Sequence, residues 1–175
     1  MTFTFSVDNQ IVKKENLDGP ARMAEKFFKI ESDPNQIPIT PKTLRWITTH
    51  IPNCVNVIRN KNKVIGFTFL VPTTKWTMRA FVKGKINERQ LFEQTKKEFS
   101  KTKRFGSIYL CSAFVIPKYQ KSGLATQGFL KSIETFPKSV NSKLTIYFDA
   151  WTTGGRKLGI KVAKKARLPY REKEN

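Results

Sequence analysis

The chain has 175 residues, 39% of them hydrophobic and 12% aromatic, and a formal net charge of +20. A chain of this length buries one sizeable core, so we expect a single domain over residues 1–175. No apolar run has the length of about 20 residues that crosses a membrane, and the N-terminal segment lacks the pattern of a signal peptide, so we expect a cytoplasmic protein without membrane contact.

The N-terminal segments predict one short strand and two helices. Thr2–Val7 alternates as a strand does. Apolar residues then recur at helical spacing over residues 21–30. Thr40 followed by Pro41 is typical of an N-cap with proline in the first helical turn, so a second helix is expected from there to the residue before Pro52.

A β-hairpin is predicted next. Cys54–Arg59 and Lys63–Val71 are rich in β-branched and aromatic residues, and the turn-forming residues 60–62 separate them. Gly66 inside the second run indicates a bulge or a close backbone approach. Cys54 and Cys111 both lie in apolar runs without C-x-x-C spacing, so we expect two core residues and neither a disulfide nor a metal site.

The residues from Pro72 to Phe105 form a long connection with helical character. Asn87 with Gln90 is typical of a capping box, which predicts a helix over about Glu88–Ser100. Three apolar residues before this helix have two interpretations, a lid over a cleft or a packed part of the core. They are Trp76, Met78 and Phe81.

A strand, a loop and a helix follow between Ser107 and Phe136. Ser107–Ile116 is apolar throughout, which is typical of a strand covered on both faces. Pro117 stops its pairing, and a helical spacing of apolar residues begins at Ala125 and continues to Pro137. The small residues of the loop let a ligand approach the backbone, and the first NH groups of a helix bind anions.

This unit resembles the coenzyme A loop of the GCN5-related N-acetyltransferases, the GNAT family, on five residues: Val115, Pro117, Gln120, Gly123 and Ala125. The resemblance implies that backbone amides of the loop bind the pyrophosphate of acetyl-CoA and that the preceding strand pairs with the pantetheine arm. The loop residues are Lys121, Ser122, Gly123, Leu124, Ala125 and Thr126, with Gln120 before them, and the strand residues are Phe114, Val115 and Ile116. A tight turn without a ligand is the alternative interpretation of Gly123.

The fold class follows from the order of elements and from the resemblance. Leu144–Asp149 predicts a strand that lies parallel to Ser107–Ile116 after a helical crossover. We therefore expect an α+β sandwich like that of the acyl-CoA N-acyltransferases, with a mixed, mostly antiparallel sheet, a central parallel pair and helices on both faces. In the family these two strands splay apart at their carboxyl ends, which would place Asp149 at the splay. Residues 72–106 are then a helical insertion, because the family makes this connection with a short loop.

The catalytic residues match the family less well. Asp149 is the candidate base, and turn formation is its alternative role. The Tyr that often protonates the thiolate in this family has no counterpart, which leaves Tyr147 and Tyr170 as candidate acids. His50 ends a predicted helix, where a capping role is the commoner one. Only residues 169–175 follow the last helix, so the family's final hairpin is nearly absent, and a second subunit of a homodimer is one way to complete the pocket.

Two function classes are consistent with this sequence. The first is an acetyl-CoA-dependent N-acetyltransferase in which an amine attacks directly in a ternary complex, and a variant of it binds coenzyme A but has lost catalysis. The second is a basic nucleic-acid-binding module that uses Arg156–Arg171, a segment with many lysines and arginines. The Gln120–Ala125 loop favours the first. Residues 1–40 carry a net −1, with five Lys/Arg and six Asp/Glu, and residues 41–175 carry +21, with 28 and 7. This field predicts a neutral or anionic small-molecule amine as the acceptor.

Overall fold

Six strands form one mixed sheet whose order follows the chain, β1-β2-β3-β4-β5-β6, in a computed structural model that describes residues 2–9, 17–101, 105–136 and 144–174. The first four strands pair antiparallel, and β4 pairs parallel with β5. The predicted α+β sandwich with a central parallel pair is therefore confirmed. A second parallel pair, β5 with β6, was not predicted. The strands are β1 Phe3–Phe5, β2 Val55–Asn60, β3 Lys63–Thr73, β4 Ser107–Val115, β5 Thr145–Phe148 and β6 Tyr170–Glu172.

Six α-helices are present in the described ranges, and four of them begin at a side-chain cap. The capping side chains accept hydrogen bonds from backbone NH groups three residues later, and they belong to Thr40, Thr74, Asn87 and Thr152. The N-cap residues of α1 and α5 make no such bond. The predicted helix end at Pro137 lies outside the described residues. The helices are α1 Asp18–Phe28, α2 Pro41–His50, α3 Lys75–Val82, α4 Glu88–Phe99, α5 Leu124–Glu134 and α6 Thr153–Ala166.

The helices cover both faces of the sheet. On one face, Phe81 of α3 contacts the rings of Tyr109 and Tyr147, at centroid distances of 4.9 and 5.9 Å. Helices α1 and α2 lie on this face too, since Phe27 packs against Phe114 of β4 and Trp46 against Phe92 of α4. On the opposite face, α5 and α6 pack against each other and against β3 and β5. This layering is the one predicted.

The connection between β3 and β4 contributes to the core. Met78 and Phe81 are 8% and 1% exposed and belong to the main hydrophobic cluster, whereas Trp76 is 61% exposed. The core interpretation is therefore confirmed for Met78 and Phe81, and the lid interpretation is wrong for them. The capping box that begins α4 is present. Helix α3 was not predicted from the sequence.

Two irregularities in register shape the centre of the sheet. Ile58 pairs with Gly66 and Arg59 with Val64, so β3 has one extra residue there. Phe69 pairs with Ser112 and Leu70 with Leu110, which makes Cys111 the extra residue of β4. A bulge bends a strand and redirects its side chains. The predicted bulge or close approach at Gly66 is confirmed.

The close approach at Gly66 leads to a stability prediction. A Cβ atom at this position would lie 2.4 Å from the Phe114 carbonyl oxygen, which is a backbone atom that cannot move aside without disturbing the sheet. We expect Gly66→Ala to lower the free energy of unfolding by about 1–3 kcal/mol, the usual cost of overpacking. Urea denaturation measures the change. Gly19→Ala is the control, because its Cβ would meet Val64 at an ordinary 3.6 Å; equal effects of the two substitutions would contradict the argument.

Candidate active site

Strands β4 and β5 separate soon after they meet. Their pairing covers only Ser107–Tyr109 with 145–147, and beyond it residues 110–115 of β4 have β3 on one side and no described strand on the other. A cavity of about 730 Å³ opens at this gap, between the helices of the two faces. The separation expected from the family resemblance is thus present, and it exposes one edge of a central strand to a cavity.

The backbone of β4 turns alternate residues toward this open edge. Ile116 donates its NH to the Ile65 carbonyl of β3 at 2.9 Å, and the Phe114 carbonyl lies against Gly66 of β3. Successive residues of a strand direct their backbone groups to opposite edges, so Ala113 and Val115 direct theirs toward the cavity. The NH of Ile116 is therefore not available to a ligand. A strand-like ligand at this edge would pair with Ala113 and Val115.

The loop between β4 and α5 has an unusual backbone. Lys121 and Gly123 have φ angles of +64° and +83°. A lysine in this region is strained, and such strain concentrates at functional sites. Left-handed residues in a turn also allow successive NH groups to converge on an anion. Since Gly123 is the N-cap of α5 and supplies no capping side chain, the first NH groups of the helix lack a side-chain acceptor.

Most of the predicted coenzyme-binding residues lie together around the cavity. Those that line it are Val115, Gln120, Lys121, Gly123, Leu124, Ala125 and Thr126. Three others, Phe114, Ile116 and Ser122, are not among the lining residues. The Ser122 hydroxyl donates to the Tyr119 carbonyl at 2.6 Å, and the Gln120 side-chain amide donates to the Val115 carbonyl at 2.9 Å. Gln120 thus ties the end of β4 to the loop.

Lysines and carboxylates occupy different parts of the cavity wall. Lys121 precedes α5, and Lys157 and Lys161 extend from α6, so all three belong to the α5 and α6 face of the sheet. The side chains of four lysines of α6 are exposed: Lys157, Lys161, Lys164 and Lys165. Two of them nonetheless line the cavity, and their charge is suited to the phosphates of a ligand.

A carboxylate that sequence reasoning did not select, Glu88, lies on the opposite face. It is the first residue of α4, and its oxygens accept hydrogen bonds from Tyr109 Oη at 3.0 Å, Cys111 Sγ at 3.4 Å and the Ile37 NH at 3.4 Å. All four residues line the cavity. The bulge in β4 is at Cys111, which brings Tyr109 and Cys111 to the same carboxylate.

Burial raises the pKa of Glu88 above its ordinary value, and the hydrogen bonds from Tyr109, Ile37 and Cys111 only partly offset this effect. The nearby charge of Asp149 raises the pKa further. Burial is also the main cause of the raised pKa values of Tyr109 and Cys111, and Glu88 adds to both. Cys111 is therefore held as a thiol, which agrees with the predicted core role and argues against an acyl-accepting thiolate.

Asp149 lies at the cavity, directly after β5, as the resemblance implied. Its Oδ2 atom forms a salt bridge of 2.8 Å with Lys173, and both side chains are largely shielded from solvent. This oxygen is already engaged by a cation, so an incoming ammonium would have to displace Lys173 to reach it. We therefore assign Asp149 an electrostatic and structural role, and its selection as the base is not supported by this geometry.

The two candidate tyrosines and the single histidine are not among the residues that line the cavity. Tyr147 is fully buried, is not among the residues that line the cavity, and shares a hydrogen bond of 2.8 Å with the Thr73 hydroxyl. Burial raises its pKa, so it is a poor proton donor. Tyr170 stacks on Phe148 at the edge of the sheet. His50 is an exposed residue at the end of α2, as predicted, where its Nδ1 contacts the Trp46 carbonyl.

The buried position of Glu88 leads to a stability prediction. A raised pKa means that the folded state binds more protons than the unfolded state between the two pKa values, so the free energy of unfolding falls as the pH rises through that interval. Glu88→Gln keeps an acceptor for Tyr109 and removes the buried charge. We expect a melting temperature a few degrees higher than that of the wild type at neutral pH, and no difference below the ordinary glutamate pKa. A lower melting temperature at neutral pH would contradict the desolvation argument.

No family model, curated protein or solved structure matches the chain. In the described ranges no helix has the length and apolar character needed to cross a membrane. The same residues hold no group of three or more His, Cys, Asp and Glu side chains that could bind a metal ion.

Proposed function

We propose that the protein is an N-acyltransferase that transfers an acetyl group from acetyl-CoA to an amine in a ternary complex. One observation carries the proposal: the open edge of β4, the positive-φ loop before α5 and the Glu88 carboxylate all line one cavity. The strand edge and the loop suit the coenzyme, and the carboxylate suits the amine. A tight turn with no ligand would not explain why these three features converge.

The coenzyme has a suitable place along β4 and the loop. The backbone groups of Ala113 and Val115 are directed to the open edge and suit the amide groups of a pantetheine arm. The NH groups of residues 121–126 suit a pyrophosphate, because NH groups at a helix start bind anions. Lys121 and the two α6 lysines add positive charge on the same face.

Glu88 is the residue we assign as the general base. An amine attacks a thioester only in its neutral form, and its ammonium proton must first go to an acceptor within hydrogen-bond reach. Glu88 lies in the cavity, and its raised pKa brings it closer to neutral pH, where a base is most effective. The amine nitrogen then forms a bond to the thioester carbon and the C–S bond breaks. The second proton that the nitrogen loses as the amide forms passes through water to the coenzyme A thiolate, and Glu88 releases the first proton to solvent.

The carbonyl oxygen of the thioester gains negative charge during this attack. A backbone NH at the open edge of β4 is the natural donor to it. Val115 directs its NH to the cavity, whereas Phe114 directs its own to β3. We therefore assign this role to Val115, and to Ala113 as the other residue on the same edge.

Calorimetry with acetyl-CoA tests the proposal directly. We expect saturable binding with one site per chain, and release of free thiol when primary amines are added with acetyl-CoA. Desulfo-coenzyme A is a useful control, because it carries the same phosphates and pantetheine arm without the reacting sulfur. No detectable binding of either compound would remove the proposal and leave the basic α6 surface as the alternative starting point.

A further inference from the structure

Among the described residues, the Glu88 carboxylate has neutral hydrogen-bond donors and no cationic partner. Tyr109 Oη, Cys111 Sγ and the Ile37 NH all contact it, and within the described part of the chain it makes no salt bridge. Asp149, the other carboxylate of the cavity, is paired with Lys173. A buried carboxylate is stabilised most by a cation that reaches it. The cavity would therefore favour a ligand that brings a positive charge to Glu88.

The wall around Glu88 is apolar. Helices α1 and α2 and the segment between them supply this wall, including Leu17, Ala24, Phe28, Ile37, Leu44 and Ile47. They lie on the same face of the sheet as Glu88, whereas the loop of α5 and the lysines of α6 lie on the other face. The cavity thus has a positively charged end that suits an anion and an apolar end that contains the Glu88 carboxylate.

We infer that the acceptor is a primary amine on an apolar aromatic or aliphatic body, bound with its ammonium at Glu88 and its body against α1 and α2. The inference rests on the proposed function and names the substrate class of the same site. Apolar walls with a few placed polar groups are the usual construction of a small-molecule pocket. An ammonium in this place forms a charge-assisted hydrogen bond to the base that then takes its proton.

This inference replaces the neutral or anionic acceptor expected from the sequence. That expectation used the net charge of +20, which acts at long range and is screened beyond about 8 Å at physiological salt. Inside the cavity, the carboxylates that line the wall are those of Glu88 and Asp149. A second carboxylate or a phosphate beside the amine would be repelled there. The local groups therefore decide the acceptor, and the lysines on the other face serve the coenzyme.

Matched probes test the inference by calorimetry. 2-Phenylethylamine and 2-phenylethanol share a ring and chain and differ in the ammonium, 3-phenylpropionate carries an anion instead, and methylamine lacks the apolar body. With the coenzyme A-bound protein we expect 2-phenylethylamine to bind at least about tenfold more tightly than each of the other three, since hydrogen bonds between charged groups are strong and specific. Equal affinities, tighter binding of the anion, or no binding of any probe would overturn the inference.

Two variants show whether Glu88 causes the preference. Glu88→Gln should reduce the preference for the amine over the alcohol to about twofold or less, because an amide gives no charge to pair with. Glu93→Gln changes an exposed glutamate of the same helix, paired with Lys96, and should keep the preference. Acetyl-CoA is titrated into each protein in parallel. If the wild type binds acetyl-CoA but shows no preference for the amine, only the inferred acceptor class is rejected. If the wild type does not bind acetyl-CoA, the proposed function is rejected.

Discussion

Gly123→Glu is expected to reduce the affinity for acetyl-CoA by about 100-fold or more, since hydrogen bonds to a charged group contribute about 1.5–3 kcal/mol each and the new carboxylate repels the pyrophosphate. Apart from its two chain neighbours, no described residue has an atom within 4 Å of the position that a Cβ would take at Gly123, so the side chain has room without displacing the core. The residue's φ of +83° lies in the left-handed region, where glutamate is strained. Isothermal calorimetry measures the affinity, and circular dichroism measures whether the sheet is retained.

Gly84→Glu is a closely matched control for this variant. Gly84 has a φ of +67° and is not among the residues that line the cavity. In the described part of the chain, no atom beyond its two neighbours lies within 4 Å of its Cβ position. The substitution therefore introduces the same charge and a similar backbone strain away from the loop. We expect it to lower stability by a similar amount and to leave acetyl-CoA affinity unchanged. Equal losses of affinity in the two variants would mean that strain or net charge, and not the position of Gly123, caused the effect.

The helix caps and the hairpin turn could be predicted because each depends on residues that are close together in the sequence. The Thr40 cap with Pro41, the capping box of Asn87 and the turn at residues 60–62 each depend on atoms a few residues apart. Such contacts are formed by residue types with strong preferences at those positions. The loop before α5 was found in the same way. Its glycine, its small residues and the apolar strand before it are all within a short segment.

The base could not be found from the sequence, because Glu88 acquires its environment from distant segments. Its partners are Tyr109, Cys111 and Ile37, which are 21, 23 and 51 residues away. The capping box does place Glu88 in the first turn of a helix. No pattern in the sequence indicates that this helix begins over the bulge of β4. The sequence therefore pointed to Asp149 and not to Glu88 as the base.

Similar reasons explain the reassignment of Asp149 and Tyr147. The position of Asp149 after β5 follows from the strand pattern, but its salt bridge depends on Lys173, which is 24 residues later and follows the short strand β6. Tyr147 alternates correctly within β5 and faces α3, a helix that the sequence did not predict. In both cases the strand was predicted correctly, but the sequence did not indicate which residues contact the side chain. Such neighbours decide whether an acidic or phenolic group can exchange a proton.

Glu88→Gln is expected to lower kcat for an amine acceptor by about 100-fold to 10,000-fold, the range that general base catalysis contributes. Glutamine keeps a carbonyl acceptor for the Tyr109 hydroxyl and cannot take a proton from the ammonium. The affinity for acetyl-CoA should stay at the wild-type value, because the loop and the open edge of β4 are unchanged. Release of free thiol measures the rate, with Glu93→Gln as the control that alters a surface carboxylate of the same helix.

The pH dependence of kcat distinguishes a base from a residue that only supports the pocket. Glu88 accepts a proton only when it is ionised, so the wild-type kcat should rise as the pH rises through the pKa of Glu88. This rise should occur above the ordinary glutamate pKa, because burial and the charge of Asp149 raise the pKa of Glu88. In Glu88→Gln that rise should disappear, and the residual rate should follow only the fraction of neutral amine in solution. A variant with a lower rate but the same rise with pH would show that another group takes the proton, and Glu88 would then be a structural residue of the acceptor pocket.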